Sequence, residues 1–146
     1  MLSVADLEET EENKSAYRVM IVDDQKVMRK IIKKLLNQFG DFHVIEAENG
    51  KNAMDILCGV DDDLPDLIIS DLHMDVMDGM SFCNNLRRLK NTRLNAIPVV
   101  LLTGESDRMV LEVSEQVGAC MILQKPISAP ELQKKLSSVV GFDLGR

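Results

Sequence analysis

Residues 18–39 read RVMIVDDQKVMRKIIKKLLNQF, and two periodicities meet inside that stretch. After Arg18 the run to Val22 is continuously apolar, the pattern of a strand buried on both faces. From Lys26 onward, Val27, Met28, Ile31, Ile32, Leu35, Leu36 and Phe39 recur with a period of about 3.6, so residues 26–39 are expected to form an amphipathic helix. Only Asp23, Asp24 and Gln25 separate the two. A strand passing through a short polar turn into a helix is half of a β-α-β unit, and such units build parallel sheets.

The same beat continues outward along the chain. Further strands are predicted at 43–47, 66–70, 98–102 and 120–123, with Pro98 at a strand opening, where its missing N–H is harmless. Helical spacing marks Ala53, Ile56, Leu57 and Val60. It marks Phe82, Cys83, Leu86 and Leu89, followed by Arg87, Arg88 and Lys90 near the negative end of the helix dipole. It returns at Met109, Val110, Val113 and Val117, ending at Gly118, and at Leu132, Leu136, Val139 and Val140. The last helix opens with Ser128-Ala-Pro-Glu131, a capping box with Pro in the first turn. The expected fold is α/β: a doubly wound (βα)5 three-layer sandwich around a five-stranded parallel sheet.

Composition agrees with a single packed domain and narrows its partners. The chain has 146 residues, enough to bury a core unaided, and 45% apolar with 28% charged residues is the balance of a globular protein. A net charge of -7 argues against nucleic acid as a partner, and 3% aromatics without Trp provide no base-stacking platform. No stretch approaches the about 18 apolar residues of a membrane helix, and no secretory signal opens the chain. Cys58, Cys83 and Cys120 match no zinc or redox spacing and are read as buried, reduced thiols, which suggests the cytoplasm. Residues 1–16 hold Asp6, Glu8, Glu9, Glu11 and Glu12 against Lys14 and are expected to be a flexible acidic tail. The domain is expected to span 17–140, with a tail at 141–146 and no attached output domain.

In an open α/β sheet, functional groups gather where strands end at their carboxyl side. The first strand ends in Asp23-Asp24, the third in Asp71, the fourth in Thr103, and the fifth leads through Gln124 to Lys125-Pro126. Taken singly, an Asp after a strand is an ordinary turn former. Jointly, three carboxylates, a hydroxyl and an ammonium at one edge form a phosphoryl-transfer set. Two carboxylates about 4 Å apart repel by roughly 4 kcal/mol at an effective dielectric of 20. Three would take up protons or attract a cation, and oxygen donors without Cys or His suit Mg²⁺ or Mn²⁺. An EF-hand reading of Asp71 to Gly79 fails, because Val76 and Phe82 stand where Gly and Glu are required.

Val19-Met-Ile-Val-Asp-Asp24, Ile68-Ile-Ser-Asp71, Met74 with Asp78-Gly79, Leu102-Thr-Gly104, and Gly118-Ala119 leading to Lys125-Pro126 resemble the CheY-like receiver domains of two-component response regulators. The resemblance covers Tyr17 to Val140. It implies a flavodoxin-like strand order and phosphorylation of Asp71 by a phosphohistidine donor. It also implies Mg²⁺ (or Mn²⁺) held by Asp24, Asp71 and the backbone carbonyl of His73, with Asp23 acting through water. Thr103 and Lys125 would hold the phosphoryl oxygens, and the Lys125-Pro126 bond would be cis. His73 and Glu105 would flank the water that attacks the acyl phosphate and so influence its lifetime.

Two positions depart from the pattern. Asp75 stands where the family usually has Pro. Ile122 replaces an aromatic residue that swings inward on activation, so the usual rotamer signal is not expected here.

The resemblance suggests a histidine kinase or histidine phosphotransfer protein as donor, meeting the basic stripe Lys26, Arg29, Lys30, Lys33 and Lys34 on the first helix. Output would be a change in binding of a downstream protein by the face that the fourth helix, fifth strand and fifth helix form. The alternative is onward phosphoryl transfer as a relay intermediate or phosphate sink. An aspartate-nucleophile phosphohydrolase would want a second acid where His73 stands, and a degenerate scaffold would not keep the whole acidic set. The expected protein is a phosphoacceptor, not a turnover enzyme.

Overall fold

The computed structural model describes residues 17–59, 63–104 and 121–140. Within them the order is β1 (Tyr17–Val22), α1 (Lys26–Asn37), β2 (Phe42–Ala47), α2 (Gly50–Cys58), β3 (Leu67–Asp71), α3 (Gly79–Arg87), α4 (Thr92–Asn95), β4 (Val99–Thr103), β5 (Met121–Gln124) and α5 (Ala129–Val140). The strands form one parallel sheet in the order β2-β1-β3-β4-β5, the flavodoxin-like order.

Alternation along β1 divides the core in two. Met20 and Val22 face one layer, where they meet Ala53 and Leu57 of α2 and Phe82, Cys83 and Leu86 of α3. Val19 and Ile21 face the other, with Ile32 and Leu36 of α1 and Leu132 and Leu136 of α5. β3 and β4 are buried throughout, so their continuous apolar character reports burial on both faces.

Several boundaries shift against the sequence reading. β3 and β4 begin one residue later than predicted and end one residue later, which makes Asp71 and Thr103 the last residues of their strands. α1 stops at Asn37, where the backbone amides of Gln38 and Phe39 turn back onto Leu35 and Leu36 carbonyls. α3 ends at Arg87, and Leu89 and Lys90 lie beyond it. Arg87 donates to the carbonyls of Asn95 and Ile97 and so ties α3 to the one-turn α4, an element the periodicity does not reveal. The capping box at Ser128 is present: Ser128 Oγ accepts from the Glu131 amide and donates to the Glu131 carboxylate.

Cys58 is exposed, contrary to the expected burial, because it lies at the open end of α2, whereas Cys83 is buried between α3 and the sheet. The helix expected around Met109 to Val117, Cys120, Val60, Glu105 and the two tails lie outside the described residues. No helix among the described residues is long and apolar enough to cross a membrane.

Candidate functional site

The strand order reverses between β1 and β3, and ligands of doubly wound sheets bind at that switch point, outside the carboxyl ends of the strands. Asp23 and Asp24 follow β1, and Asp71 closes β3. One carboxylate oxygen from each of the three lies within 4.8 Å of the others. They differ in surroundings: Asp23 and Asp71 are buried, Asp24 exposed.

Asp71 Oδ1 accepts two hydrogen bonds, from Lys125 Nζ at 2.8 Å and from the Leu72 amide at 3.0 Å. Lys125 is brought within reach by the Thr103 carbonyl, which accepts from the Lys125 amide at 2.7 Å just after β4 and β5 part. The Lys125-Pro126 bond is cis. Thr103 Oγ1 is buried without a hydrogen-bond partner among the described residues.

Asp23 is held at its backbone and at one carboxylate oxygen. Its amide donates to the Ala47 carbonyl, its carbonyl accepts from Arg29, and its Oδ1 accepts from the Gln25 amide at 2.8 Å. Oδ2 is buried and has no hydrogen-bond partner among the described residues. Burial is the main reason the Asp23 carboxyl is pushed above its usual pKa; the Gln25 amide opposes this, Asp71 adds to it, Lys125 opposes it, and Asp24 adds again. Asp24 receives the Asp75 amide at 3.4 Å.

The β3–α3 loop is drawn tight under this cluster. The Gly79 amide donates to the Leu72 carbonyl at 2.8 Å, and a Cβ on Gly79 would collide with the Asp71 carbonyl oxygen, so only glycine fits. Asp78 caps α3 by accepting from the Ser81 amide. Val76 sits at φ 70°, and the Met77 amide donates across it to the Asp75 carbonyl, a strained γ-turn centred on a β-branched residue.

The structure thus brings Asp23, Asp24, Asp71 and Lys125 together, with Thr103 at the end of the strand beside Asp71. His73 is exposed in the loop two residues on, and Ile122 is partly buried beside Leu101 in the α2–α3 layer. The Asp75 side chain is exposed. On α1 the basic stripe needs correction. Lys26, Lys30, Lys33 and Lys34 are exposed, but the Arg29 side chain is only 11% exposed and its guanidinium binds inward, to Asp23 and Glu46. Spacing along a helix assigns a face; it does not reveal that one long side chain reaches over the sheet edge.

A hard divalent cation fits this set. The donors are all oxygens, three carboxylates approach one another, and a buried carboxylate oxygen and a buried hydroxyl there lack partners among the described residues.

The response regulator receiver domain model matches residues 19–137. The chain is 32% identical over 124 residues to a probable chemotaxis protein CheY of Rhizobium etli, covering 85% of this chain and 92% of that protein. It is 35% identical over 131 residues to histidine kinase P4 of Formosa agariphila, covering 90% of this chain but only 9% of the kinase. Among solved structures, Vibrio cholerae chemotaxis protein CheY4 superposes with a TM-score of 0.73 at 28% identity, covering 85% of this chain and 98% of that one. The receiver domain of the Pseudomonas aeruginosa sensor histidine kinase PA1611, solved with a magnesium ion in its active-site cleft, superposes at 0.71 with 27% identity, covering 86% and 98%. On sequence and fold alike, the chain belongs to the response-regulator receiver family of two-component signalling.

Proposed function

We propose that this receiver domain takes a phosphoryl group onto Asp71 from a phosphohistidine donor, in a magnesium-dependent reaction. The observation that carries the reading is the convergence of three carboxylates with Lys125 bound to Asp71 Oδ1. An Asp71 carboxylate oxygen attacks phosphorus in line; the N–P bond breaks, its electron pair stays on the imidazole, and an acyl phosphate forms. Lys125 sits where it can neutralise charge on the transferred group, and the unpartnered Thr103 hydroxyl can donate to one of its oxygens.

Asp24, Asp71 and the His73 carbonyl would hold the ion, with Asp23 acting through water. Bound there, Mg²⁺ (or Mn²⁺) would supply charge neutralisation of the phosphoryl oxygens. His73 and Glu105 would tune the lifetime of the acyl phosphate, and with Ile122 in place of the aromatic residue the domain would switch without the usual rotamer signal.

The domain acts as a phosphoacceptor, not a turnover catalyst, in the cytoplasm, with its globular unit spanning 17–140 between two tails. Its donor is a histidine kinase or histidine phosphotransfer protein docked near Lys26, Lys30, Lys33 and Lys34. Phosphorylation shifts a two-state equilibrium that a downstream protein reads at the face including β5 and α5. Onward transfer in a relay is the second reading. It is favoured by the likeness to a segment of a histidine kinase and to the signal receiver domain of a histidine kinase from Syntrophus aciditrophicus, at 30% identity.

Incubation with acetyl phosphate and MgCl₂, followed by mass mapping, tests the assignment. Modification at Asp71 that requires Mg²⁺ and is absent from Asp71→Asn is expected. Modification elsewhere, or none, overturns it.

A further inference from the structure

Arg29 is the most engaged cation of α1, and none of its contacts lies with the lysines around it. Its Nη1 donates to the Asp23 carbonyl at 2.7 Å, and its Nε donates to Glu46 Oε1 at 2.8 Å. Glu46 belongs to β2, and its other oxygen lies 3.7 Å from Lys33. The next residue of β2, Ala47, accepts the Asp23 amide at 3.1 Å. Adjacent residues of one strand therefore fix both sides of Asp23, Ala47 directly and Glu46 through Arg29. The carbonyl that Arg29 grips belongs to the peptide joining Asp23 to Asp24, so its orientation sets where both carboxylates leave the backbone.

We infer that Arg29, held by Glu46, is a positioning residue that aims the Asp23–Asp24 peptide and so sets the affinity of the acidic cluster for a divalent cation. The inference rests on the cation-binding reading of the cluster. A guanidinium suits the task because its planar fork can serve a carbonyl and a carboxylate at once, with both bonds charge-assisted. A fixed carbonyl matters because three carboxylate oxygens already crowd within 4.8 Å, so rotation of that peptide moves two of the three donors. Groups that orient metal ligands commonly change affinity by about 10–100-fold when removed.

Magnesium affinity, read by isothermal titration calorimetry with MgCl₂, tests this on wild type, Arg29→Ala and Glu46→Ala. Each protein is held well below its melting temperature, so that loss of stability alone leaves the dissociation constant unchanged. Arg29→Ala is expected to weaken Mg²⁺ by about 10-fold, Glu46→Ala by several-fold, and the double variant no more than Arg29→Ala, because both act through one chain of contacts. An Arg29→Ala constant within about threefold of wild type overturns the inference. If Arg29→Ala does not fold, the exposed Glu46→Ala variant decides by the same threshold. A wild type that binds no Mg²⁺ overturns the cation reading itself and is distinguished from failure of the positioning role by that control.

Discussion

Asp23 carries the electrostatic strain of the site. Its carboxyl is buried, one oxygen lacks a partner among the described residues, and two further carboxylates stand beside it. A folded-state pKa raised above 3.8 means that folding favours the protonated form. The stabilisation this gives is fully present below the unfolded value and is lost as pH rises through the folded one. Asp23→Asn keeps the acceptor for the Gln25 amide and removes the charge. Without metal, its stability advantage over wild type is expected to be small near the ordinary carboxylate range and to grow toward neutral pH, as read by urea denaturation across that range. An advantage that shrinks with rising pH contradicts this. Val76 is strained for a different reason. Its φ of 70° places a β-branched side chain in the left-handed region, where most of it meets only solvent. Val76→Asn is expected to stabilise the protein by about 1 kcal/mol, measured by chemical denaturation. At this scale the sequence picks out side chains that meet at the rim but not their partners. Asp23, Asp24, Asp71, Thr103 and Lys125 are legible because each follows or ends a strand. Arg29 is misread as surface because its contacts come from β2, seventeen positions away.

Elements are legible in proportion to how much apolar pattern they carry. β3 and β4 read clearly because every residue is buried, and their ends are misjudged by one because Asp71 and Thr103 are buried polar residues that break the apolar run. α4 is missed because four residues cannot show a helical period, although Asn91 signals it by accepting the Arg93 and Leu94 amides. α3 gains its position from Gly79, which packs against the backbone of Asp71 and Leu72 at the end of β3. Gly79→Ala would drive a methyl into the Asp71 carbonyl and the Leu72 α-carbon, both of them backbone. It is expected to cost at least about 2 kcal/mol of stability and to slow the proposed phosphorylation of Asp71, because relief requires the peptide of Asp71 itself to move. Denaturation and acetyl phosphate labelling check the two effects together. Unchanged labelling would show that the loop accommodates the methyl without disturbing Asp71.

At the scale of the whole molecule, parallel strands send the ends of β1, β3, β4 and β5 to one rim, and the switch between β1 and β3 opens a place for a cation there. The two apolar layers fold the chain, and the rim concentrates negative charge that the layers do nothing to relieve. A cation bound only to the folded state should therefore stabilise it, by about 2.7 kcal/mol when its concentration reaches 100 times the dissociation constant. The most direct test of the account is equilibrium unfolding of wild type and Asp24→Ala, each with and without MgCl₂. Mg²⁺ is expected to stabilise wild type, while Asp24→Ala without metal is expected to be no less stable than wild type and to respond little to Mg²⁺. A wild type indifferent to Mg²⁺, or an Asp24→Ala variant that is clearly weaker without metal, would contradict the claim that these carboxylates are gathered at a cost which a bound cation offsets.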